Sequence, residues 1–388
     1  MSVAVINRNP DLKRLQDEGY ELEVREGCAI VWNVPYLDHN LTVQRGVLVS
    51  PLNMIGDAVK YVSTGTSHVI YFQGTMPYRA NGTSLESVML HQHTGNIFAG
   101  VHVDMSFSNK PIGGYTDYHH KFTRYIEILS AEARAVEPTA TAATFRRIVT
   151  DEIDSVFYYE DTNASRAAIM DTTDKFKGLR IGIVGMGGTG SYILDQVAKI
   201  PVAEIHLFDG DTFQQHNAFR APGAPTKESL INQLYKSDYF QGIYGNMHRH
   251  IVSHPQFLDA CNVSQLNGLD FVFLSMDAGP AKKVIIDHLC AQCIGFIDTG
   301  IDVQRSPNGL LGTVRVTLCV DGVREAIDQH VSFAQAEQDL YQSNIQVSDL
   351  NALCGLLAVM RWKQRMGFYA DHKAAQNLVY NTFSGEFT

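Results

Sequence analysis

The run Leu179-Arg180-Ile181-Gly182-Ile183-Val184-Gly185-Met186-Gly187-Gly188-Thr189-Gly190-Ser191 decides how this chain folds. Leu179 to Val184 is apolar enough for a buried strand, and the glycines from Gly185 to Gly190 make a tight turn. Ser191 to Ile200 then reads as a helix with Ile193, Leu194, Val197 and Ala198 on its inner face. Glu204 to Phe208 is the next strand, so the segment forms a strand-helix-strand crossover. In that setting glycines let backbone amides and the positive helix end approach phosphate oxygens.

Working outward, Phe271 to Leu274, Gly295 to Ile297 and Thr313 to Val320 supply further strands, with Ala281 to Ala291 helical between the first two. The alternation predicts an α/β fold: a Rossmann-like, mostly parallel sheet with helices on both faces. The N-terminal part reads differently. Asn9-Pro10 caps a short helix carrying Leu12 and Leu15, which Gly19 closes, and strand-like runs succeed it at Tyr20 to Val24, Ala29 to Trp32, Gly46 to Val49 and His68 to Phe72. Tyr118, Phe122, Tyr125, Ile126 and Leu129 recur with helical spacing over about Tyr118 to Val136, and that apolar face needs a sheet. The run Glu137 to Thr144 has little to pack, and Asp151 to Asp174 is acidic and weakly periodic. The expected organisation is a smaller mixed α+β domain over 1–150, a linker over 151–175 and the α/β domain over 176–388.

Composition narrows the function classes. Of 388 residues, 19% are charged and 45% hydrophobic, which excludes global disorder. The formal charge of −10 argues against binding nucleic acid or anionic lipid by bulk electrostatics. The longest apolar runs, such as Ala352 to Met360, fall far short of the roughly 20 residues that span a bilayer. The first residues lack the pattern of a secretory signal, so a cytoplasmic protein is expected. The cysteines Cys28, Cys261, Cys290, Cys293, Cys319 and Cys354 are too sparse for a disulfide framework and are expected to be reduced.

The glycine turn alone also fits a nicotinamide-binding domain, with Asp209 as the acid for the ribose hydroxyls. The residues after the second strand are richer than that: Phe208-Asp209-Gly210-Asp211, then His216-Asn217-Ala218-Phe219-Arg220. A dehydrogenase needs only the first acid. On these residues the chain resembles the adenylyltransferases that activate ubiquitin-like and sulfur-carrier proteins, the ThiF-like and ubiquitin-activating enzymes. Their pattern of glycine turn, Asp-x-Asp, Asn-x-x-Arg, downstream lysine and strand-ending aspartate is present in order: Gly185, Gly187, Gly188 and Gly190; Asp209 and Asp211; Asn217 and Arg220; Lys236; and Asp277. Lys227 competes with Lys236 for the lysine, and spacing favours Lys236. The segment from Ser348 through Asn351 and Trp362 is similar to this group's late helix.

The resemblance implies ATP and Mg2+ as cofactors, with Asp209 on the ribose, Asn217, Arg220 and Lys236 on the phosphates, and Asp277 on the magnesium. The glycine turn would lie under the nucleotide. It also implies that Arg166, in Asn163-Ala164-Ser165-Arg166, enters the partner subunit's site in a homodimer. The expected reaction is adenylation of the C-terminal carboxylate of a ubiquitin-like or sulfur-carrier protein, with release of pyrophosphate. The alternatives are an ATP-dependent small-molecule or tRNA modifier on the same fold, and an inactive scaffold that binds nucleotide or a ubiquitin-like protein.

Other motifs carry blander readings. Cys290-x-x-Cys293 is a single pair where zinc-binding relatives use two, so helix packing is the expectation. Cys354 sits in an apolar helical run and reads as core, and no cysteine lies between Val320 and Asn351, so no thioester on this chain is expected. Cys28 begins a strand. His91-x-His93 with Asp104 has isopeptidase-like spacing, but Val101 stands where such a site needs serine, so a histidine-rich face is expected. The first domain resembles the uncharacterised segment preceding some bacterial ThiF-like domains, and partner recognition is its expected role.

Overall fold

Short β-rich runs and one long amphipathic helix make up the first unit, Met1–Ser155 with Tyr159–Thr172. The computed structural model describes residues 2–56, 58–62, 67–146, 148, 155–159, 161–167, 169–334 and 345–388. Helices α1 (Ser2–Arg8) and α2 (Pro10–Asp17) lead into strands β1 (Glu21–Arg25), β2 (Cys28–Leu37), β3 (Val43–Pro51), β4 (Met54–Ile55), β5 (Ala58–Val59), β6 (Val69–Gln73), β7 (Met89–Phe98) and β8 (Val101–Ser108). Helix α3 (Tyr118–Val136) comes next, then the short helices α4 (Thr162–Ala167) and α5 (Met170–Thr173). Six strands form an antiparallel sheet in the order β1-β2-β3-β6-β8-β7, while β4 and β5 pair apart.

The two-residue period of β2 divides its apolar side chains between two cores. Ala29 and Val31 share one with Phe122, Tyr125, Ile126 and Leu129 of α3, so the helix finds the sheet it needs. Cys28 and Ile30 share the other with Val47, Val49, Val101 and Val103. Asp117 caps α3 by accepting from His120 N at 2.6 Å, and Asp11 of α2 accepts from Tyr118 N at 3.1 Å. Two expectations change. Asn9 does not cap α2 with its side chain, which instead accepts from Val59 N at 2.6 Å and donates to Val5 O at 2.6 Å. The run Glu137 to Thr144 does pack: Ala140 and Ala142 are buried, Arg45 Nη1 donates to Thr141 O at 2.6 Å, and Thr144 Oγ1 donates to Glu21 Oε1 at 2.5 Å. Its small side chains are what let this backbone lie flat on the domain.

The second unit is Val156–Tyr158 with Thr173–Thr388. In order it contains β9 (Arg180–Val184), α6 (Gly188–Val197), β10 (Glu204–Phe208), α7 (Gln215–Ala218), α8 (Lys227–Ile231), α9 (Lys236–Tyr244), β11 (Ile251–His254), β12 (Phe271–Leu274) and α10 (Pro280–Ala291). β13 (Gly295–Ser306), β14 (Gly309–Cys319), α11 (Glu325–His330), α12 (Ser348–Arg365), β15 (Asn377–Asn381) and β16 (Glu386–Phe387) complete it. The sheet order is β11-β10-β9-β12-β13-β14-β15-β16. Chain progress reverses between β9 and β12, and such a switch point opens a crevice at the carboxyl ends of the strands.

The sheet is mostly parallel, as expected, with an antiparallel edge that makes it mixed. β11 through β13 run parallel, whereas β14, β15 and β16 add on antiparallel. The cause is a hairpin: β13 runs well past Ile297 to Ser306 and returns through Pro307-Asn308 into β14. Apolar side chains cover both faces. Ile193, Leu194 and Val197 of α6 join Cys354, Ala358 and Trp362 of α12 on one side, and Ile285, Ile286 and Leu289 of α10 pack on the other. Gly355 lets α12 approach α6, since a Cβ there would stand 2.9 Å from Tyr192 Cβ. Among the described residues no helix is long and apolar enough to cross a membrane.

Candidate active site

The glycine turn closes on itself before it faces any ligand. Gly185 has φ +88°, and a Cβ there would sit 2.3 Å from Ser275 O, so only glycine fits. Gly185 N donates to Phe208 O at 2.8 Å, and Met186 N to Asp209 Oδ2 at 2.6 Å. Asp211 N reaches Asp209 Oδ1 at 2.8 Å. Two backbone turns therefore fix the Asp209 carboxylate. Burial pushes its pKa above the usual carboxylate value, against the lowering effects of Lys236 and of both amides.

Lys236 starts α9, and its backbone N donates to Asp211 O at 2.8 Å beside the Thr212–Tyr235 bridge. That small ladder aims Lys236 Nζ at Asp211 Oδ2, 2.7 Å away. Lys236 is buried, whereas Lys227 lies exposed on α8 and away from the cavity. Arg220 follows the single turn of α7, and its Nε is buried without a hydrogen-bond partner. Burial lowers its pKa, opposed by the charges of Asp277 and Asp211, and the guanidinium stays charged. Burial, Arg220 and Lys236 together lower the pKa of His216.

These groups converge on one cavity of about 910 Å3 at the switch point, large enough for a nucleotide with room beyond it. Gly185, Gly187, Gly188, Asp209, Asp211, His216, Arg220, Lys236 and Asp277 all line it. Asp277 lies three residues beyond the end of β12, in the loop that leads to α10. Gly190 and Asn217 are not in the lining. A Cβ on Gly190 would stand 1.8 Å from Gly185 O, so this glycine serves helix-to-turn packing. Asn217 is buried and closes the cap of α7, its Oδ1 accepting from Gln214 N at 2.9 Å, while its Nδ2 is buried without a partner. Arg166 lies on α4 in the first unit, and its side chain is outside the described residues.

The cavity also holds Asn351 of the late helix and three residues that no sequence motif marks: Lys282, Arg315 and Thr299. Behind them Asp298 is wholly buried and pairs with both Lys282 and Arg315. Thr189 Oγ1 donates to Asn351 Oδ1 at 3.0 Å, which ties α12 to the turn. A charged residue inside an apolar strand, as Asp298 is beside Phe296 and Ile297, was the available signal.

The remaining candidates lie elsewhere in the chain. Cys354 is core, and burial pushes its thiol up to about 12, which leaves little thiolate at neutral pH. Cys290 is half-buried at the end of α10 and Cys293 is exposed. His93 Nε2 lies 3.1 Å from Ser106 Oγ, and Asp104 accepts from Gly74 N at 2.8 Å. Among the described residues no three His, Cys, Asp or Glu side chains gather as metal ligands.

For magnesium, the donor chemistry fits without such a cluster. Mg2+ on a nucleotide takes one or two protein carboxylates, the phosphates and water, and Asp277 and Asp211 supply carboxylates to the cavity that Arg220 shares.

Among known proteins, a model for a domain of unknown function, DUF6791, matches residues 10–162, and the model of the ThiF family matches residues 159–380. No curated protein matches the chain. Solved structures similar to it include Escherichia coli MccB with MccA-N7isoASN, 15% identical with a TM-score of 0.47, covering 59% of this chain and 71% of that one. E. coli MccB with ATP is 16% identical with a TM-score of 0.45, covering 57% and 66%. PaaA is 14% identical with a TM-score of 0.46, covering 76% and 93%. Because the second family model runs over more than half of the sequence, from the end of the first unit into β15, the chain belongs to the ThiF family.

Proposed function

We propose that the second unit adenylates the C-terminal carboxylate of a ubiquitin-like or sulfur-carrier protein with ATP and releases pyrophosphate. Membership of the ThiF family supports an adenylyltransferase of this superfamily. The observation that carries the reading is the gathering of Gly187, Gly188, Asp209, Arg220, Lys236 and Asp277 on one cavity at the switch point of the sheet.

The chemistry sets what these residues must do. An acceptor carboxylate is already ionised at neutral pH, so no general base is required. One carboxylate oxygen bonds to the α-phosphorus, the bond to the bridging oxygen breaks, and pyrophosphate leaves with the electron pair. The chain has to align two anions and absorb charge at phosphorus. The amides of the turn and the N-terminus of α6 receive phosphate oxygens, and Asp209 accepts from the ribose hydroxyls. Arg220, whose Nε has no partner, and Lys236 supply positive charge to the phosphates. Mg2+ held by Asp277 would offset the charge of the departing pyrophosphate.

Purified protein incubated with ATP and labelled pyrophosphate tests the proposal. Exchange that depends on an added carrier protein supports it. Carrier-independent turnover favours a small-molecule or tRNA modifier, and absence of both favours a nucleotide-binding scaffold.

A further inference from the structure

Three charged side chains, Asp298 within β13, Arg315 within β14 and Lys282 in the first turn of α10, are not among the residues assigned above to the nucleotide. Asp298 meets Lys282 Nζ at 2.5 Å through Oδ1 and Arg315 Nη2 at 2.6 Å through Oδ2. Lys282 Nζ also donates to Met276 O at 3.2 Å, and Arg315 Nη1 to Thr317 Oγ1 at 2.5 Å. One carboxylate thus serves two cations, and the cluster carries one surplus positive charge. Lys236, by contrast, has its own partner in Asp211. A surplus buried charge is costly unless a counter-charge meets it, which makes this wall a prepared seat for an anion.

Of the cluster's two cations, which both line the cavity, Arg315 is the more open. Its side chain is 18% exposed, against 4% for Lys282 and none for Asp298. Gly300, its register partner on β13, keeps space for the guanidinium, since a Cβ there would lie 2.8 Å from Nη2.

Strand order indicates which anion arrives. Asp209 follows β10, the glycine turn follows β9 and Asp277 follows β12, three neighbours in the sheet. At about 4.8 Å per strand, β10 to β12 covers roughly 10 Å, the reach of a ribose and its phosphates. β14 lies about another 10 Å further on, past the nucleotide. There Arg315 shares a face of β14 with Thr313 and Thr317, which donate to Asn381 and Asn377 of β15 at 2.9 and 2.8 Å.

We propose that Arg315, braced by Asp298 with Lys282 behind it, binds the terminal carboxylate of the acceptor and aligns it on the α-phosphate. The proposal rests on the adenylation reading and deepens it: the substrate class is a chain with a free carboxylate end, and its amide is rejected. A planar guanidinium can hold a carboxylate through two hydrogen bonds and neutralise it as it nears the phosphate anion.

Calorimetric titration of the full chain with MgATP, glycylglycine and glycylglycine amide tests this, with the dipeptides run on both the free and the Mg-AMPCPP-loaded protein. Wild type should bind glycylglycine at least about tenfold more tightly than the amide. Arg315→Met should lose that preference while its MgATP affinity stays within about twofold, and Arg315→Lys should recover part of it. An equal fall in MgATP affinity in Arg315→Met would assign the seat to phosphate and overturn the proposal. So would failure of wild type to distinguish acid from amide, or preference retained in Arg315→Met. Should Arg315→Met not fold, the amide comparison and Arg315→Lys still decide. If wild type binds no MgATP, the adenylation reading falls, and the glycylglycine titration of the free protein judges the carboxylate seat separately.

Discussion

Alanine substitutions at three glycines of the turn should separate stability from nucleotide binding, because each glycine is small for a different reason. At Gly190 an added Cβ would stand 1.8 Å from Gly185 O, a backbone atom held in place by the bond from Gly185 N to Phe208 O of β10. The helix and turn must part, at about 3 kcal/mol or more. At Gly188 the Cβ would lie 2.3 Å from Asn351 Cγ, which belongs to a side chain and can move. Moving it breaks the bonds to Thr189 Oγ1 and to Val347 O, each 3.0 Å, so the cost is about 1–3 kcal/mol. At Gly187 nothing lies within 4 Å, so stability should change by less than about 1 kcal/mol. Yet Gly187 lines the cavity, and its Cβ would stand where phosphate oxygens approach the turn. Losing one amide-to-phosphate bond of about 1.5–3 kcal/mol weakens MgATP binding roughly 10- to 150-fold. Urea unfolding gives the first quantity and calorimetry the second. Gly187→Ala melting like Gly190→Ala, or binding MgATP as wild type does, would refute the assignment of the turn to the phosphates.

Lys236→Met should slow pyrophosphate exchange on the order of 10²- to 10³-fold, while exposed Lys227→Met stays within about twofold; the reverse order would move the lysine role to α8. Asp277→Ala should abolish exchange in a protein whose circular dichroism is unchanged, and full exchange in it would remove the metal role. If Arg166 acts across a homodimer, mixing Arg166→Ala with Asp277→Ala chains should restore exchange, since one of the two sites then carries every group; a monomer in ultracentrifugation sinks that idea. His248 is buried, with Nε2 3.0 Å from Val202 O and Nδ1 accepting from His250 N, and burial pushes its pKa down to about 4. The unfolded chain, with a histidine pKa of about 6.5, takes up that proton first, so this contribution is full above about pH 6.5. It is lost as the pH falls to about 4, by about 3 kcal/mol. Urea unfolding of His248→Gln across that window should show a shallower pH slope than wild type, and an equal slope would reject the assignment.

How much of the molecule is legible in its sequence depends on how far apart the cooperating residues lie. The crossover from β9 to β10 is local: an apolar run, a glycine turn that permits φ +88° at Gly185 and a helix succeed one another within thirty residues. The helix Tyr118–Val136 is equally legible, because one amphipathic face and the Asp117 cap define it without help from elsewhere. The antiparallel edge of the sheet is not. β15 has no fully buried residue, so its pattern carries no burial signal, and β13 after Ile301 is polar apart from Val303 although pairing with β14 continues to Ser306. Asn308-Gly309 marks that hairpin, but reading it requires accepting Asp302, Gln304 and Arg305 as strand residues. The cluster of Lys282, Asp298 and Arg315 comes from three elements, and nothing in the spacing of 282, 298 and 315 announces that they meet.

Asn217 shows how a motif can be read correctly as a pattern while its physics differs residue by residue. Its side chain does not face the cavity; it caps the single turn of α7, and its carbonyl accepts from Arg220 N at 3.1 Å. The Asn-x-x-Arg spacing is thus the length of a capped turn, and the cap fixes where the arginine leaves the backbone. Gly190 makes the same point from the packing side, since it admits α6 to the turn while Gly187 leaves room in front of it. A nucleotide site built on a switch point needs few groups that touch the ligand and several that hold those few within a fraction of an ångström. Substitutions at Asn217 or Gly190 should therefore appear first in unfolding experiments, and those at Arg220 or Gly187 first in binding.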